Sequence, residues 1–318
     1  MLSAVLAPLA MHIPDGFLSI SVSIVLWIVS IVVIAYALTR VNTELGERQV
    51  PLMGVMAAAI FAGQMLNFPI SGGTSGHLIG AALATIILGP WASILVMTSV
   101  VGIQALLFQD GGLLVMGGNI FNMAILATAI SYAIYTLVKR LAGNSRLSVL
   151  AGGSVGAWLS VFITSLAVAL QLAVSGTSRA DVALPVMAGV HAVIGIGEGL
   201  ITLGALAFLL ATRPDLLKMG GEKQKGGGLV VAGGLVIALA LAVLSPIAST
   251  NPDGLEYVAE QSGFLAKAEG PSYQLIPDYA FPGIGSPELA TIMAGIVGVI
   301  VVFGVSFAVA YARKRRTA

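Results

Sequence analysis

The chain contains 318 residues, of which 58% are hydrophobic and 9% are charged, and its formal net charge is +1. Soluble domains carry about 25% charged residues, so this composition excludes an ordinary soluble protein and indicates a chain embedded in a membrane. The small net charge offers no basic surface for nucleic acid, and the absence of cysteine excludes disulfides, thiolate metal sites and cysteine nucleophiles.

Apolar segments recur along the whole chain. Most are close to the roughly 20 residues that cross about 30 Å of hydrocarbon, but 51–67 and 77–89 are short. Because only Gly89 and Pro90 separate the second of these from its successor, a re-entrant or tilted arrangement is the alternative there. We therefore predict an all-α, polytopic integral membrane protein with about nine transmembrane helices, at residues 18–39, 51–67, 77–89, 91–108, 117–139, 148–175, 187–211, 228–248 and 289–311.

The distribution of lysine and arginine predicts the orientation. If nine segments cross, only Arg179 and Lys267 of the fifteen basic residues lie on one side of the membrane, and all the others lie on the opposite side. The positive-inside rule assigns the basic side to the cytoplasm. We therefore expect a multi-pass protein of the cell membrane, with its amino terminus outside and its carboxyl terminus in the cytoplasm.

The segments group into four parts. Residues 1–10 form an extension, and residues 11–212 form a compact seven-helix unit. Residues 213–228 form a polar, glycine-containing cytoplasmic linker, which we expect to be flexible. Residues 229–318 hold two helices that enclose an extracytoplasmic loop, 249–288. That loop is acidic, since a single Lys267 faces Asp253, Glu256, Glu260, Glu269, Asp278 and Glu288.

Met11 and His12 open the seven-helix unit, in the sequence Met-His-Ile-Pro-Asp-Gly. If residues 1–10 are a signal segment that is removed, or a start assigned too early, then Met11 carries a free α-amine. This amine, the backbone nitrogen of His12 and its imidazole can close two fused chelate rings on one cation. One further imidazole would complete a square of four nitrogens, the geometry of Ni(II) or Cu(II). If the extension is retained, His12 is an ordinary loop residue.

The sequence contains three histidines in all. His77 follows the small residues at 71–76, a stretch we expect to be flexible and able to fold closely over a site. We predict that His77 is a metal ligand at the outer mouth; the alternative is a helix-cap histidine. His191 and Glu198 lie on one face of a predicted span, where they are either a structural pair held by neighbouring helices or metal ligands.

Other polar side chains near the spans are candidates for contacts that orient the ligands. Asp15 is too close in sequence to His12 to share the cation easily, so we expect it to fix the arm by accepting backbone hydrogen bonds. The remaining candidates are amides, namely Asn67, Asn119 and Asn122, together with Gln64, Gln104 and Gln109.

These residues resemble a known family. Three segments resemble the substrate-binding M subunit of nickel/cobalt energy-coupling-factor transporters, the CbiM/NikM family. They are the run from Met11 to Gly16, the Ser-Gly-Gly-Thr-Ser-Gly-His loop that ends at His77, and the helix with His191 and Glu198. The loop that contains Asn-Pro-Asp-Gly-Leu-Glu at 251–256 is similar to the small N subunit of the same systems, the PDGLE domain. Together the matches cover nearly the whole chain and imply a fused M–N protein.

The resemblance implies a subunit that captures Ni²⁺ or Co²⁺ outside the cell, without catalysis of its own and without a permanently bound cofactor. Its partners would be a transmembrane T subunit and two cytoplasmic ATPase subunits within the lipid membrane, and the metal would serve cobalamin biosynthesis or nickel enzymes. The implied ligands are Met11, His12 and His77, and the N-like segment would deliver or load the metal. The departure from the family is the extension at 1–10, which removes the amine ligand if it is retained.

Two rival functions remain open from the sequence. The first is a gradient-driven metal permease without ATPase partners, in which Glu198 would be the proton-carrying acid. The second is an intramembrane enzyme that uses His191 and Glu198 as acid and base. The chain contains neither a Walker A nor an H-E-x-x-H pattern, so the sequence does not indicate an ATPase or a zincin.

Overall fold

Helices make up most of the fold in a computed structural model, which describes residues 11–44, 49–70, 72–219, 227–270 and 273–315. The predicted extension at 1–10 and residues 220–226 of the predicted linker lie outside the described residues. A hairpin is formed by β1 (Phe68–Ile70) and β2 (Thr74–Gly76). The helices are α1 (Ile20–Glu44), α2 (Gln49–Gln64), α3 (Ala81–Leu88), α4 (Pro90–Ile103), α5 (Met116–Ile120), α6 (Ala127–Ala142), α7 (Arg146–Val174), α8 (Ala180–Thr212), α9 (Gly227–Leu244), α10 (Gly254–Gln261) and α11 (Pro287–Arg315).

Seven stretches among the described residues are long and apolar enough to cross a membrane. The prediction of an all-α, multi-pass membrane protein is therefore confirmed. The seven stretches are Ile20–Val41, Pro90–Phe108, Met116–Ala142, Arg146–Val174, Ala180–Thr212, Gly228–Ile247 and Pro287–Lys314.

Two of these stretches contain π-helical turns. One turn, Gln104–Phe108, ends the helix that begins at α4, and the other, Phe121–Leu126, joins α5 to α6. Such turns widen a helix locally and often occur at functional sites. The second turn borders the cavity described below, to which it contributes Asn122 and Met123.

The two short predicted segments differ from ordinary spans. Helix α2 has 16 residues and is buried over most of its surface, whereas α3 has only 8 residues and reaches about 12 Å, too little to cross alone. The predicted span at 77–89 is helical only in its second part. Residues 77–80 are not helical, and Gly89, with φ of +88°, separates α3 from α4. The count of nine crossings stays a prediction.

Helices α9 and α11 enclose α2, so the carboxyl-terminal part shares a core with the seven-helix unit. Small residues make this close approach possible. A methyl group on Gly54 of α2 would lie 2.9 Å from the ring of Phe303. Gly298 of α11 likewise leaves room for the ring of Phe61. Helices α9 and α11 of the predicted part 229–318 are thus an integral layer of the helical bundle.

The first residues of the predicted linker are ordered, so the expectation of flexibility was wrong for them. Arg213 donates two hydrogen bonds to Asp215, at 2.8 and 2.7 Å. Residues Pro214–Leu217 form a 3-10 turn, and Leu217 is only 2% exposed. An apolar side chain and an ion pair anchor a segment whose polar composition had suggested a free chain.

Basic residues meet at one end of the bundle. Lys139, Arg140 and Lys218 line a common groove with Gly89 and Pro90, at the start of α4. The other end of the same helix leads to the cavity described in the next section. This arrangement agrees with the charge asymmetry in the sequence, and the assignment of the basic end to the cytoplasm stays a prediction.

The loop before His77 is a structured hairpin, so the expectation of a flexible stretch was wrong for Thr74–Gly76. Strands β1 and β2 pair in antiparallel fashion, and Gly72 and Gly73 adopt positive φ in the turn. The backbone N–H of Ser75 donates to the carbonyl of Pro252 at 2.8 Å, and its hydroxyl donates to the carbonyl of Asn251 at 2.9 Å. The carboxyl-terminal loop thus fixes the hairpin. Ser71 lies outside the described residues.

Candidate metal-binding cavity

All three histidines line one cavity of about 90 Å³. The predicted ligands His12 and His77 meet there with their ring centroids 5.7 Å apart and their planes at 75°. Met11 also lines the cavity, as the metal-ligand prediction requires. The wall comprises Met11, His12, Ile13, Gly76, His77, Ile79, Asn119, Asn122, Met123, Val161, Thr164, Ser165, Val168, Met187, His191, Ile194, Asp253, Gly254 and Leu255.

The amino-terminal arm is held in place by Asp15. Its carboxylate accepts hydrogen bonds from the backbone N–H groups of Leu113 and Val115, at 3.0 and 3.1 Å. Its backbone carbonyl accepts from the N–H of Glu269 at 2.8 Å. Asp15 therefore has the backbone contacts that the sequence predicts for it, and it ties the arm both to the α4–α5 connection and to the carboxyl-terminal loop.

The amides have different partners. The N–H of Ile13 donates to Asn119 Oδ1 at 3.1 Å, and Asn119 Nδ2 donates to the carbonyl of Ile13 at 3.0 Å, so this side chain holds the residue next to His12. Asn122 lines the cavity and exchanges two hydrogen bonds with Gln171, each of 2.8 Å. Asn67 lies outside the cavity wall, and its backbone carbonyl accepts from the N–H of Ser249 at 2.8 Å.

Glu198 positions the segment that carries His77. Its two carboxylate oxygens accept from the backbone N–H groups of Ile79 and Gly80, at 2.7 and 2.8 Å, and its side chain is fully buried. Gln64 donates to the carbonyl of Ile79 at 2.9 Å. Glu198 does not line the cavity, whereas His191 does, so the two predicted partners have separate roles.

Each imidazole has one nitrogen engaged with a neighbour. Nδ1 of His77 donates to the carbonyl of Leu78 at 3.1 Å, and Nδ1 of His191 donates to the carbonyl of Met187 at 3.0 Å. Each donation leaves the Nε2 lone pair free. The arrangement differs at His12, whose Nδ1 lies 3.0 Å from Asp110 Oδ1 and whose buried Nε2 has no partner among the described residues.

Asp110 is a residue of the site that the sequence did not predict. Its Oδ1 also accepts the backbone N–H of His12 at 3.2 Å, and its Oδ2 accepts the hydroxyl of Tyr279 at 2.6 Å. A usable signal was an acidic residue two positions after the predicted span 91–108 and directly before Gly111 and Gly112. A methyl group on Gly111 would lie 2.9 Å from the Cβ of His12, so this glycine lets the arm approach.

Electrostatics favour a charged Asp110 beside a neutral His77. Burial raises the pKa of Asp110, but the charge of His12 and the hydrogen bonds from His12 and Tyr279 outweigh it and leave the pKa below its ordinary value. Burial and the charge of His12 lower the pKa of His77. Burial also lowers the pKa of His12, but the carboxylate of Asp110 outweighs it and raises the pKa overall. A neutral imidazole such as His77 is the form that binds a metal.

The carboxyl-terminal loop covers the cavity with helix α10. Asp253 and Glu256 form a capping box at its start: the N–H of Glu256 donates to Asp253 Oδ1 at 2.8 Å, and the N–H of Asp253 donates to Glu256 Oε2 at 3.2 Å. Leu255 and Val258 pack in one cluster with Ile13 of the arm. Two of the acidic residues in the loop are therefore buried structural groups, and Asp253 also lines the cavity.

Side chains alone do not complete a metal site. Within the described ranges, no three His, Asp or Glu side chains converge closely enough to hold an ion. The predicted ligands are not all side chains, because they include the backbone nitrogen of His12 and the terminal amine of Met11.

Comparison with known families and structures gives a consistent result. The family described as "Cobalt uptake substrate-specific transmembrane region" matches residues 12–216, and the PDGLE domain matches residues 228–315. A putative fused nickel transport protein NikMN from Archaeoglobus fulgidus is 38% identical over 307 residues, covering 95% of this chain and 99% of the relative.

Two further relatives extend the comparison. The cobalt transport protein CbiM from Sorangium cellulosum is 35% identical over 58% of this chain and 84% of its own length. A crystal structure of a truncated transition metal transporter is 37% identical, superposes with a TM-score of 0.56, and corresponds to 63% of this chain and 98% of that structure. The chain therefore belongs to the family of cobalt uptake substrate-specific transmembrane proteins and carries a PDGLE domain fused to its carboxyl-terminal end.

Proposed function

We propose that this protein is the substrate-capture subunit of an ATP-driven importer for Ni²⁺ or Co²⁺. It takes the ion at the outer face, in the cavity shared by Met11, His12 and His77. A transmembrane T subunit and two cytoplasmic ATPases supply the scaffold and the energy, since this chain contains no Walker A motif. The metal is the cargo, and the chain itself catalyses no reaction.

The observation that carries the proposal is the meeting of His12 and His77 on one buried cavity, next to Met11. These residues are distant in sequence, and separate networks around Asn119 and Glu198 hold the two segments. An imidazole is costly in so apolar a protein unless it has a use. The lowered pKa of His77 keeps its ring neutral and ready to donate a lone pair.

The geometry of His12 supports the chelate. Its backbone nitrogen and its Nδ1 both point at Asp110 Oδ1, from 3.2 and 3.0 Å. These are the two His12 nitrogens that a fused chelate uses, and they already face one common point. The free amine of a chain that begins at Met11 and the imidazole of His77 would complete the square of nitrogens. Both Ni(II) and Co(II) accept such a field, and transport proteins for each metal are among the relatives.

The two rival functions have weaker support. Both need Glu198 as an acid or base, but its two oxygens already accept backbone hydrogen bonds in a fully buried position. Uptake of Ni²⁺ or Co²⁺ in cells with and without the coupling ATPases separates the proposal from a gradient-driven permease. We expect uptake to stop when the ATPases are absent; uptake at an unchanged rate would favour the permease.

Metal binding is tested with two purified proteins, one beginning at Met11 and one retaining residues 1–10. Calorimetric titration with Ni²⁺ and Co²⁺ should give one bound ion for the first protein and much weaker binding for the second. In the protein that begins at Met11, His12→Ala and His77→Ala should each abolish stoichiometric binding. Tyr273→Phe, which changes a residue outside the cavity wall, serves as the control.

Mass spectrometry of the protein purified from its native membrane gives the mature amino terminus. We expect it to be Met11. Full-strength binding by a protein that keeps residues 1–10, or by the double histidine variant, would contradict the proposed site.

A further inference from the structure

We propose that Asp110 is an internal latch on the metal-binding arm, and that Tyr279 of the PDGLE domain holds this latch closed. The proposal rests on the proposed function, because it concerns access of the cargo ion to His12. The carboxylate occupies the point on which two chelating nitrogens of His12 converge, so an ion that binds both nitrogens must first displace it.

The two oxygens of Asp110 face different parts of the protein. Oδ1 accepts the backbone N–H of His12 at 3.2 Å and lies 3.0 Å from its Nδ1. Oδ2 accepts the hydroxyl of Tyr279 at 2.6 Å. The side chain is buried, so water does not compete for these bonds. A single carboxylate therefore joins the amino-terminal arm to the PDGLE domain.

The hydroxyl of Tyr279 is held firmly on Asp110. Its ring stacks on Phe108, with centroids 4.8 Å apart and planes at 14°. Asp278 and Tyr279 have positive φ of 52° and 55°, a conformation that costs free energy in residues other than glycine. The surrounding contacts maintain this turn, and the turn directs the ring toward the π-helical end of the α4 span.

Two neighbouring hydrogen bonds, one from the backbone and one from a side chain, tie the same segment to that span. The N–H of Ile276 donates to the carbonyl of Leu107 at 3.1 Å, and Tyr273 donates its hydroxyl to the carbonyl of Leu106 at 2.8 Å. Movement of the PDGLE loop away from the span would withdraw Tyr279 from Asp110. The carboxylate would then be free to turn away from His12, which gives the PDGLE domain control over when the arm accepts an ion.

Charge-assisted hydrogen bonds are about twice as strong as neutral ones, so both bonds of Asp110 resist opening. Tyr279→Phe removes one bond and leaves the ring, its stacking and the charge of Asp110 in place. Tyr132→Phe is the control, because it removes an exposed hydroxyl at the opposite end of the bundle, in the groove that Lys139 and Lys218 line. Asp110→Asn weakens both bonds while it keeps the shape of the side chain.

The first measurement uses stopped-flow association of Ni²⁺ with the protein that begins at Met11. Tyr279→Phe should accelerate association about tenfold, which corresponds to 1.4 kcal/mol at the barrier, with one ion still bound per chain. Tyr132→Phe should leave the rate unchanged. The double variant of Asp110→Asn and Tyr279→Phe should bind Ni²⁺ no faster than Asp110→Asn alone, since both changes weaken the same contact between Asp110 and His12.

The second measurement needs no metal. Hydrogen exchange of the His12 backbone N–H, which donates to Asp110, should accelerate in Tyr279→Phe and in Asp110→Asn but not in Tyr132→Phe. A purely structural Tyr279 would lower thermal stability without faster association or faster exchange at His12, and that result would overturn the proposal. If the unaltered protein binds no metal, the proposed function fails, and the exchange experiment still decides whether the latch exists.

Discussion

His191 and Gly254 are in direct contact across the boundary between the seven-helix unit and the PDGLE domain. A methyl group on Gly254 would lie 2.8 Å from Cε1 and 3.0 Å from Nε2 of the imidazole. The first residue of α10 therefore rests on a cavity histidine, and only glycine allows this approach. The contact gives the glycine of the Asp-Gly-Leu-Glu sequence a physical role, which is to let the lid of the cavity close.

Gly254→Ala should lift α10 from the cavity. The alanine cannot fit unless the imidazole or the helix moves, so we expect α10 to exchange its amide hydrogens faster and the bound ion to dissociate faster. Gly270→Ala is the control, because a methyl group there meets nothing within 4 Å. Equal exchange of α10 in the two variants would show that the contact does not hold the lid.

Glu198→Gln should disturb the segment of His77 from a distance. The carboxylate accepts two backbone N–H groups, and a glutamine amide replaces one of these acceptors with a donor. A buried donor left without a partner costs about 1–3 kcal/mol. We expect a lower temperature of thermal unfolding in detergent and weaker Ni²⁺ binding.

The control for this prediction is Glu260→Gln, which makes the same chemical change at an exposed residue of α10. Binding and unfolding should be unchanged in that variant. If Glu198→Gln keeps both properties as well, the two hydrogen bonds do not position His77.

Those parts of the candidate site that depend on local chemistry can be predicted from the sequence, whereas the parts that depend on contacts between distant residues cannot. Met11, His12 and Asp15 are adjacent in a short arm whose chelating and hydrogen-bonding capacity can be derived from the residues themselves. Asp110 acquires its role only because the fold brings it to His12, and no spacing in the sequence predicts that meeting. Tyr279 was missed for a similar reason, since its place depends on a turn with two positive φ angles.

The hydrophobic pattern likewise predicted helices better than their ends. The pattern predicted the long spans, because a run of about 20 apolar residues has the length of a helix that crosses a membrane. It could not distinguish α3 from a full span, because the backbone N–H groups of Ile79 and Gly80 are held outside the helix by Glu198, a contact that the composition of 77–89 does not show. The hairpin Phe68–Gly76 was missed because its order depends on hydrogen bonds to Asn251 and Pro252, far along the chain.

The contact of α10 with the cavity should weaken as the pH rises. Burial raises the pKa of Asp253, and burial together with the charge of Asp253 raises the pKa of Glu256; the charges of Asp110 and Glu260 raise the latter further. Because these folded-state pKa values lie above the ordinary carboxyl value of about 4, the docked helix binds protons more tightly than the released loop. This proton binding stabilises the docked position of α10 fully below about pH 4. The stabilisation is lost as the pH rises through the raised pKa values of Asp253 and Glu256.

Hydrogen exchange of α10, corrected for the intrinsic rate at each pH, measures this effect. The opening of α10 should become more frequent with rising pH in the unaltered protein. Glu256→Gln removes one titrating group and should flatten the profile, whereas Glu288→Gln, at an exposed residue, should leave it unchanged. An opening frequency that falls with rising pH would contradict the predicted sign.

Gly16→Ala should loosen the amino-terminal arm by two effects, a backbone cost and a steric clash. The same substitution at Gly176, which causes only the first effect, distinguishes them. Gly16 has φ of +87°, and a methyl group on it would overlap the carbonyl of Lys267 in the PDGLE loop. Gly176 has a comparable φ of +71°, but a methyl group there meets nothing within 4 Å. Gly176→Ala therefore measures the backbone cost alone, about 1–2 kcal/mol. Gly16→Ala should destabilise the protein further, because it also disrupts the contact between the arm and the loop. It should weaken Ni²⁺ binding as well. Gly176→Ala should leave Ni²⁺ binding unchanged. Thermal unfolding and calorimetric titration of the two variants check this expectation, and equal effects in both assays would mean that the loop does not hold the arm.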